Sequence, residues 1–360
     1  MLKELINKIA DPLYSFPITT ILFYYMVKYY RIFGSKKFAI WSVIISIPVT
    51  IWFLTDPNFL LIILFPDNVP ISILLVMVAF FTWFSIHKAA ENDVRIEQGL
   101  GPIEGTPENR EKVWSWPNLV YTELFAIIAC TAFLVVWAII FKAPLEEPAN
   151  PTWAPNPAKA PWYFLGLQEM LVYFDPWMAG VVLPGLVVAG LIAIPYIDTN
   201  PKGNGYYCFQ DRKWAIISFL YGWLVLWIYL IIVGVFFRGP NWTFYGPFEF
   251  WDLHKVVAEY NINLSEFLWI KGLGMNMPKN LLVRESLGII LTVIYVVGIP
   301  VWVHKATKLG REFYQGLGPI RYYIFMFLFI TMMSLPIKMV LRWLFSLKYI
   351  VALPEWELNL

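Results

Sequence analysis

Charge is what this sequence has least of. Only 14% of its 360 residues are Asp, Glu, Lys or Arg, against about 25% in a soluble globular domain. That shortage excludes a large soluble core in favour of a lipid-facing chain. Histidine is also scarce, with His87, His254 and His304 the whole supply. A b-type haem between helices wants two axial histidines, or one histidine and a methionine. None of the three lies mid-run in an apolar stretch, so no haem and no metal is expected to be ligated by this chain alone. The two cysteines, Cys130 and Cys208, form no Cys-x-x-Cys motif and read as free thiols. A phosphate-cradling glycine loop, a His-Glu-x-x-His and a nucleophile elbow are all missing. Any redox function must then borrow its cofactors. A formal net charge of +2 is too small to argue for nucleic acid. No cleavable leader is expected, because no small-residue cleavage pattern follows the first apolar run.

Apolar side chains and rings are abundant, at 59% hydrophobic and 18% aromatic. They gather in uncharged runs of about 20 residues, the length of a membrane span. The fold class expected is all-α, a polytopic transmembrane helix bundle of about eight spans. The runs are Pro12–Val27 (the shortest), Phe38–Leu54, Pro70–Ile86, Val120–Phe141, Trp177–Ile197, Trp214–Phe237, Ser286–Val303 and Arg321–Phe345. A short apolar stretch at Phe59–Phe65 reads as interfacial. Charge inside a bilayer is costly and usually functional. Here it is limited to Glu123 at the start of the fourth run and to Lys338 and Arg342 near the end of the eighth. The last two can snorkel outward, so a proton-pumping relay within this chain is not expected.

Lysine and arginine set the orientation. The loops 28–37, 87–119, 198–213 and 304–321 hold the larger share and are expected on the cytoplasmic side. Both termini and the loop 142–176 then face the outer side of a bacterial-type energy-transducing inner membrane. Loop 238–285, on that same side, is dense in rings from Asn241 to Asp252, as suits a headgroup belt or a docking surface.

One stretch organises the rest. The 142–176 loop has prolines at Pro144, Pro148, Pro151, Pro155, Pro157 and Pro161, then runs Trp162-Tyr163-Phe164-Leu165-Gly166-Leu167-Gln168-Glu169-Met170-Leu171. Proline forbids a continuous crossing helix at its start. Beyond Pro161 the apolar residues recur as on one helix face, with Gln168 and Glu169 as a polar notch. That pattern predicts a helix lying in the membrane interface.

The order of signals around it is specific. Trp116-Pro117-Asn118 opens the fourth run, and Glu147-Pro148-Ala149-Asn150-Pro151 follows it. Ala160-Pro161-Trp162-Tyr163-Phe164 comes next, then a run ending Ile194-Pro195-Tyr196-Ile197-Asp198, then Asn200-Pro201-Lys202. This resembles subunit IV of the cytochrome bc complexes, the carboxyl-terminal half of a long cytochrome b, over roughly residues 115–237. The resemblance implies that the fourth, fifth and sixth runs are that family's helices E, F and G. It implies that Trp162 and Tyr163 are the Trp-Tyr of a Pro-Glu-Trp-Tyr motif at the outer quinol-oxidation site. Pro161, Trp162, Tyr163 and Phe164 would then bind quinol.

Pro161 stands where that motif has its glutamate, and a proline side chain neither accepts nor donates a hydrogen bond. Another carboxylate would have to take the quinol proton. Glu169 is the first candidate, seven residues and two helical turns after Trp162 and so on the same face. Asp175, Glu146 and Glu147 are further candidates.

The chain divides by this reading into an N-terminal three-span extension (1–115), a subunit-IV-like core (116–240), and an outer aromatic loop with two C-terminal spans (241–360). The function expected is that of a membrane subunit of a quinol–cytochrome c oxidoreductase, not catalytic alone. Its partners would be a haem-bearing cytochrome b subunit, iron–sulfur or c-type cytochrome subunits, the lipid bilayer and, as in the family, a second copy in a dimeric complex. Haem b would reside in the partner and quinol at the shared site. The alternatives are a quinone-handling anchor of another respiratory oxidoreductase, and a transporter or purely structural bundle.

Overall fold

A computed structural model describes the whole chain except residues 110–111, 141–147, 153, 201, 203–204 and 357. Glu146 and Glu147 lie outside the described residues. The molecule is a polytopic all-α bundle. Among the described residues, seven helices are long and apolar enough to cross a membrane: Lys36–Leu54, Asn68–Glu97, Ser115–Ile140, Met178–Ile197, Lys213–Phe237, Ser286–Ala306 and Pro319–Phe345. Each contains or nearly coincides with an apolar run predicted above. The first predicted run is also helical, Pro12–Lys28 over 17 residues with Pro17 inside. At 1.5 Å per residue that is about 25 Å, short of a ~30 Å hydrocarbon core. The Phe59–Phe65 stretch falls in the short helix Pro57–Leu64, capped by Asp56 through the amides of Asn58 and Phe59.

The chain forms two compact units. One holds residues 25–155 and 204–213. Its polar centre is Asp93, which accepts hydrogen bonds from the Tyr30 hydroxyl at 2.8 Å and from the Phe209 amide at 3.2 Å. Asn92 beside it donates to Glu104 and to the Tyr207 carbonyl. Both side chains are buried, so their pairing offsets the cost of taking polar groups from water.

The other unit holds residues 1–24, 156–203 and 214–360. This unit takes residues from all three segments expected from the sequence, and part of the 116–240 segment (116–155 and 204–213) falls in the other unit. Its core joins Phe16, Met170, Tyr173, Phe174, Val225, Tyr229, Leu230, Val233, Leu335 and Met339. Phe16 packs edge-on against Tyr229 with ring centroids 5.3 Å apart, and the Ser15 and Tyr229 hydroxyls share a hydrogen bond of 2.8 Å.

The carboxyl terminus closes this unit as a strap. Ala352–Leu353 and Leu358–Asn359 pair antiparallel. The buried Glu285 accepts from the Ala352 amide at 3.0 Å, and Arg284 holds Glu355 through two nitrogens at 2.8 and 2.9 Å. Lys338 is buried rather than snorkelling outward, the first of the two intramembrane cations to depart from expectation. Its ammonium donates to the Lys348 carbonyl and lies over the rings of Phe174 and Tyr349. The strap covers the end of the span and takes the place that water would otherwise have. Arg342, one turn on, has a largely covered side chain that pairs with Glu259 at 2.9 Å.

Candidate functional site

The helix expected after Pro161 is present, Trp162–Met170, with Pro161 as its N-cap residue. Gln168 fastens the proline loop to it. Its side-chain oxygen accepts from the Ala160 amide at 2.7 Å, and its nitrogen donates to the Ala158 carbonyl at 2.8 Å. Further back, Asn156 and Asn241 exchange two hydrogen bonds of 2.9 and 2.6 Å. Asn241 sits at φ 57°, a left-handed conformation that asparagine tolerates better than most residues. The loop and the start of the aromatic segment are thus tied to each other.

One face of the helix is sealed. Leu165, Gly166, Glu169 and Met170 are buried against the C-terminal half of the Lys213–Phe237 span. Small residues permit this approach. A side chain at Gly234 would meet Leu165 Cγ at 3.0 Å, and one at Gly166 would meet the Trp227 ring at 3.4 Å. The other side is open. Trp162, Tyr163 and Phe164 are exposed, with Tyr163 edge-on to both neighbours at 5.6 and 4.8 Å. Phe164, Leu167 and Leu171 continue an apolar stripe at spacings of three and four residues along that side, Leu167 partly buried and Leu171 exposed.

Glu169 requires a correction. It lies on the sealed face with Leu165, Gly166 and Met170, whereas Trp162, seven residues earlier, is exposed at the start of the helix. Its carboxylate is fully buried and is gripped by Arg238. The guanidinium Nε lies 3.2 and 2.9 Å from the two oxygens and Nη2 lies 2.6 Å from Oε1. Arg238 Nη1 donates to the Trp242 carbonyl at 3.0 Å. Burial opposes the Arg238 charge, and the Glu169 carboxylate more than offsets it, so the guanidinium is held above its ordinary pKa. A bidentate pair of this kind is strong and directional. Both oxygens of Glu169 accept from Arg238, and the carboxylate is fully buried behind the helix.

Arg238 is the residue that sequence reasoning missed. It opens the long aromatic loop at the end of the Lys213–Phe237 span. The signal was available: a lone carboxylate in an apolar helix needs a cation, since an uncompensated buried charge is strongly disfavoured. Lys159 is a second. Its ammonium donates to the Val235 carbonyl at 2.7 Å and sits 4.9 Å from the Trp251 ring centroid. Burial lowers its pKa to about 8; Glu169 opposes that shift and Arg238 adds to it.

Asp175 lies beyond the other end of the helix. It is buried, and its Oδ2 accepts from the Asn359 amide at 3.1 Å. With Pro176, Trp177, Pro354 and Asn359 it lines a cleft of about 430 Å³.

The histidines do not fit a haem held by this chain. His87 stacks on Trp83 and places Nδ1 2.7 Å from the Gly34 carbonyl. His304 stacks on Tyr314 at 3.7 Å, and His254 sits in the outer loop. None lies mid-span opposite another.

Residues 148–247 match the family described as cytochrome b (C-terminal)/b6/petD. That segment is similar to a cytochrome b C-terminal domain. The matched segment starts after the Ser115–Ile140 span and ends within the aromatic loop, so it contains the Trp162–Met170 helix, Glu169 and Arg238. No solved structure matches the chain. A segment similar to the C-terminal part of cytochrome b thus lies within an integral membrane helix bundle.

Proposed function

We propose that this subunit forms the wall of an outer-side quinol-oxidation site in a quinol–cytochrome c oxidoreductase. The observation that carries the reading is an exposed aromatic group, Trp162, Tyr163 and Phe164, on a helix locked in place from behind. Flat rings and apolar side chains suit a quinol, and a site needs rigid support to hold it. Pro161 starts the helix and shapes the entry. Glu169 acts as a positioning residue, because its pair with Arg238 sets where the helix, and so the aromatic group, stands. The haem b that the family brings would be ligated by a partner cytochrome b subunit, and iron–sulfur or c-type cytochrome subunits would take the other electron. The termini and this helix would face the outer side of a bacterial inner membrane, with the lysine-rich loops in the cytoplasm.

The test is quinol oxidation by the purified native complex carrying Trp162→Ala with Tyr163→Ala. A loss of about 10-fold or more in rate, with subunit composition unchanged, is the expected result, on the scale of losing positioning contacts. Wild-type turnover by that double variant would remove the reading.

A further inference from the structure

The site above lacks a carboxylate free to meet a quinol hydroxyl, because Glu169 is engaged by Arg238. Asp175 is different. Among the described residues its Oδ2 accepts from Asn359, while Oδ1 has no hydrogen-bond partner. It lines the cleft of about 430 Å³ with Pro176, Trp177, Pro354 and Asn359, which is within the size range of small-molecule sites. The indole Nε1 of Trp177, a wall of that cleft, is buried with no hydrogen-bond partner. A buried donor without an acceptor is rare and marks a place for a missing partner. Asp175 and Trp177 both line the cleft, and an open acceptor on one with an orphaned donor on the other, among the described residues, calls for a group that both donates and accepts. A hydroxyl on a flat ring is such a group; an ammonium would satisfy Asp175 and leave the indole unpaired.

We propose that the cleft at Asp175 and Trp177 binds the hydroxylated head of the quinol. This rests on the quinol-site reading above and assigns its missing carboxylate. Asp175 Oδ1 accepts the hydrogen bond and then the proton of one ring hydroxyl. That O–H bond breaks, a neutral carboxylic acid forms, and the ring is left as its monoanion. The apolar tail runs back along Leu171, Leu167 and Phe164 toward Trp162 and Tyr163. Nine residues of helix are about 12 Å, a distance that an isoprenoid tail spans easily. The strap carrying Pro354 and Asn359 forms the far wall.

Equilibrium binding to the native complex tests this, with a naphthohydroquinone and its dimethyl ether as probes. The ether keeps the ring and has no hydroxyl to donate. Asp175→Asn keeps an oxygen for Asn359 and is expected to weaken the hydroquinone ~10-fold or more. Trp177→Phe removes only the N–H and is expected to weaken it ~3-fold, the scale of a neutral hydrogen bond. Neither variant should alter binding of the ether. Equal affinity for the hydroquinone in wild type and both variants overturns the proposal. Should Asp175→Asn fail to assemble, Trp177→Phe decides, and wild-type affinity there overturns it. If the Trp162/Tyr163 double variant loses turnover while both cleft variants bind normally, only the Asp175 assignment falls. If that double variant oxidises quinol normally, the underlying reading falls first.

Discussion

Two spans of nearly equal length and apolarity behave in opposite ways. In Lys213–Phe237 the C-terminal half is packed: Val225, Leu226, Tyr229, Leu230, Val233 and Val235 are all buried. In Ser115–Ile140 no residue is buried at all. Apolarity sends both into the bilayer, but it does not choose their neighbours, since lipid tails are as apolar as leucine. What distinguishes the packed span is local. It has Gly234 where Leu165 presses closest, a tyrosine hydroxyl that finds Ser15, and Arg238 at its end to capture Glu169. Ser115–Ile140 has neither a glycine nor a buried charge. The functional site is built on the packed span, where geometry is fixed.

The largest effect should come from breaking the ion pair. Arg238→Met leaves the Glu169 carboxylate buried and unpaired, which costs about 3–5 kcal/mol. Loss of the subunit from the purified complex, or a large drop in thermal midpoint in detergent, is the expected outcome. Adding Glu169→Leu to Arg238→Met should recover most of that loss, because removing both charges is far cheaper than removing one. A double variant no better than the single would show that the pair is not what holds this helix.

Next in size is the close approach. Gly234→Val forces Leu165 aside and should destabilise by about 1–3 kcal/mol, while Ala129→Val in the bare span should change little. If the two substitutions have equal effects on the thermal midpoint, the contrast in packing between the spans is not real.

The pH response of Lys159 is smaller. Its folded pKa, lowered to about 8 by burial, lies below the ordinary lysine value. Between pH 8 and about 10.5 the unfolded chain holds a proton on this lysine that the folded chain has released. Stability should therefore rise with pH through that window, by at most ~1.4 kcal/mol per pH unit. Below pH 8 the penalty of the buried charge is fully present. Lys159→Met should flatten the slope, measured as thermal midpoint against pH.

How much of this could be read from residues alone follows the same division. Span positions were legible because a bilayer demands long apolar runs, and seven of the eight expected runs have a helix of full crossing length. The Trp162–Met170 helix was legible because Pro161 marks its start and the apolar residues keep helical spacing. The pairing of Glu169 with Arg238 was not, since 69 residues separate them and only tertiary packing brings them together. The spacing argument put Glu169 on the side of Trp162 and misread its setting, because periodicity gives a face but not what covers it. The Asp175 cleft was hidden for the same reason: its far wall comes from Pro354 and Asn359, at the other end of the chain.

The smallest effect is expected where the comparison began. Phe133 and Leu134 of the Ser115–Ile140 span are both exposed, so truncation leaves no cavity inside this chain. Phe133→Ala and Leu134→Ala should each shift the stability of the isolated subunit by no more than about 0.5 kcal/mol, the range of substitutions away from packed features. A buried leucine or phenylalanine truncated in the packed span should instead cost about 2–5 kcal/mol, and Leu230→Ala is the matching control. Repeating the pair of measurements in the whole complex sharpens the contrast. A cost at Leu134 that appears only after assembly would mean that another subunit covers this span, and a cost that stays small would leave it facing lipid. A large cost already present in the isolated subunit would mean that the span packs within this chain, and the distinction between the two spans would fail.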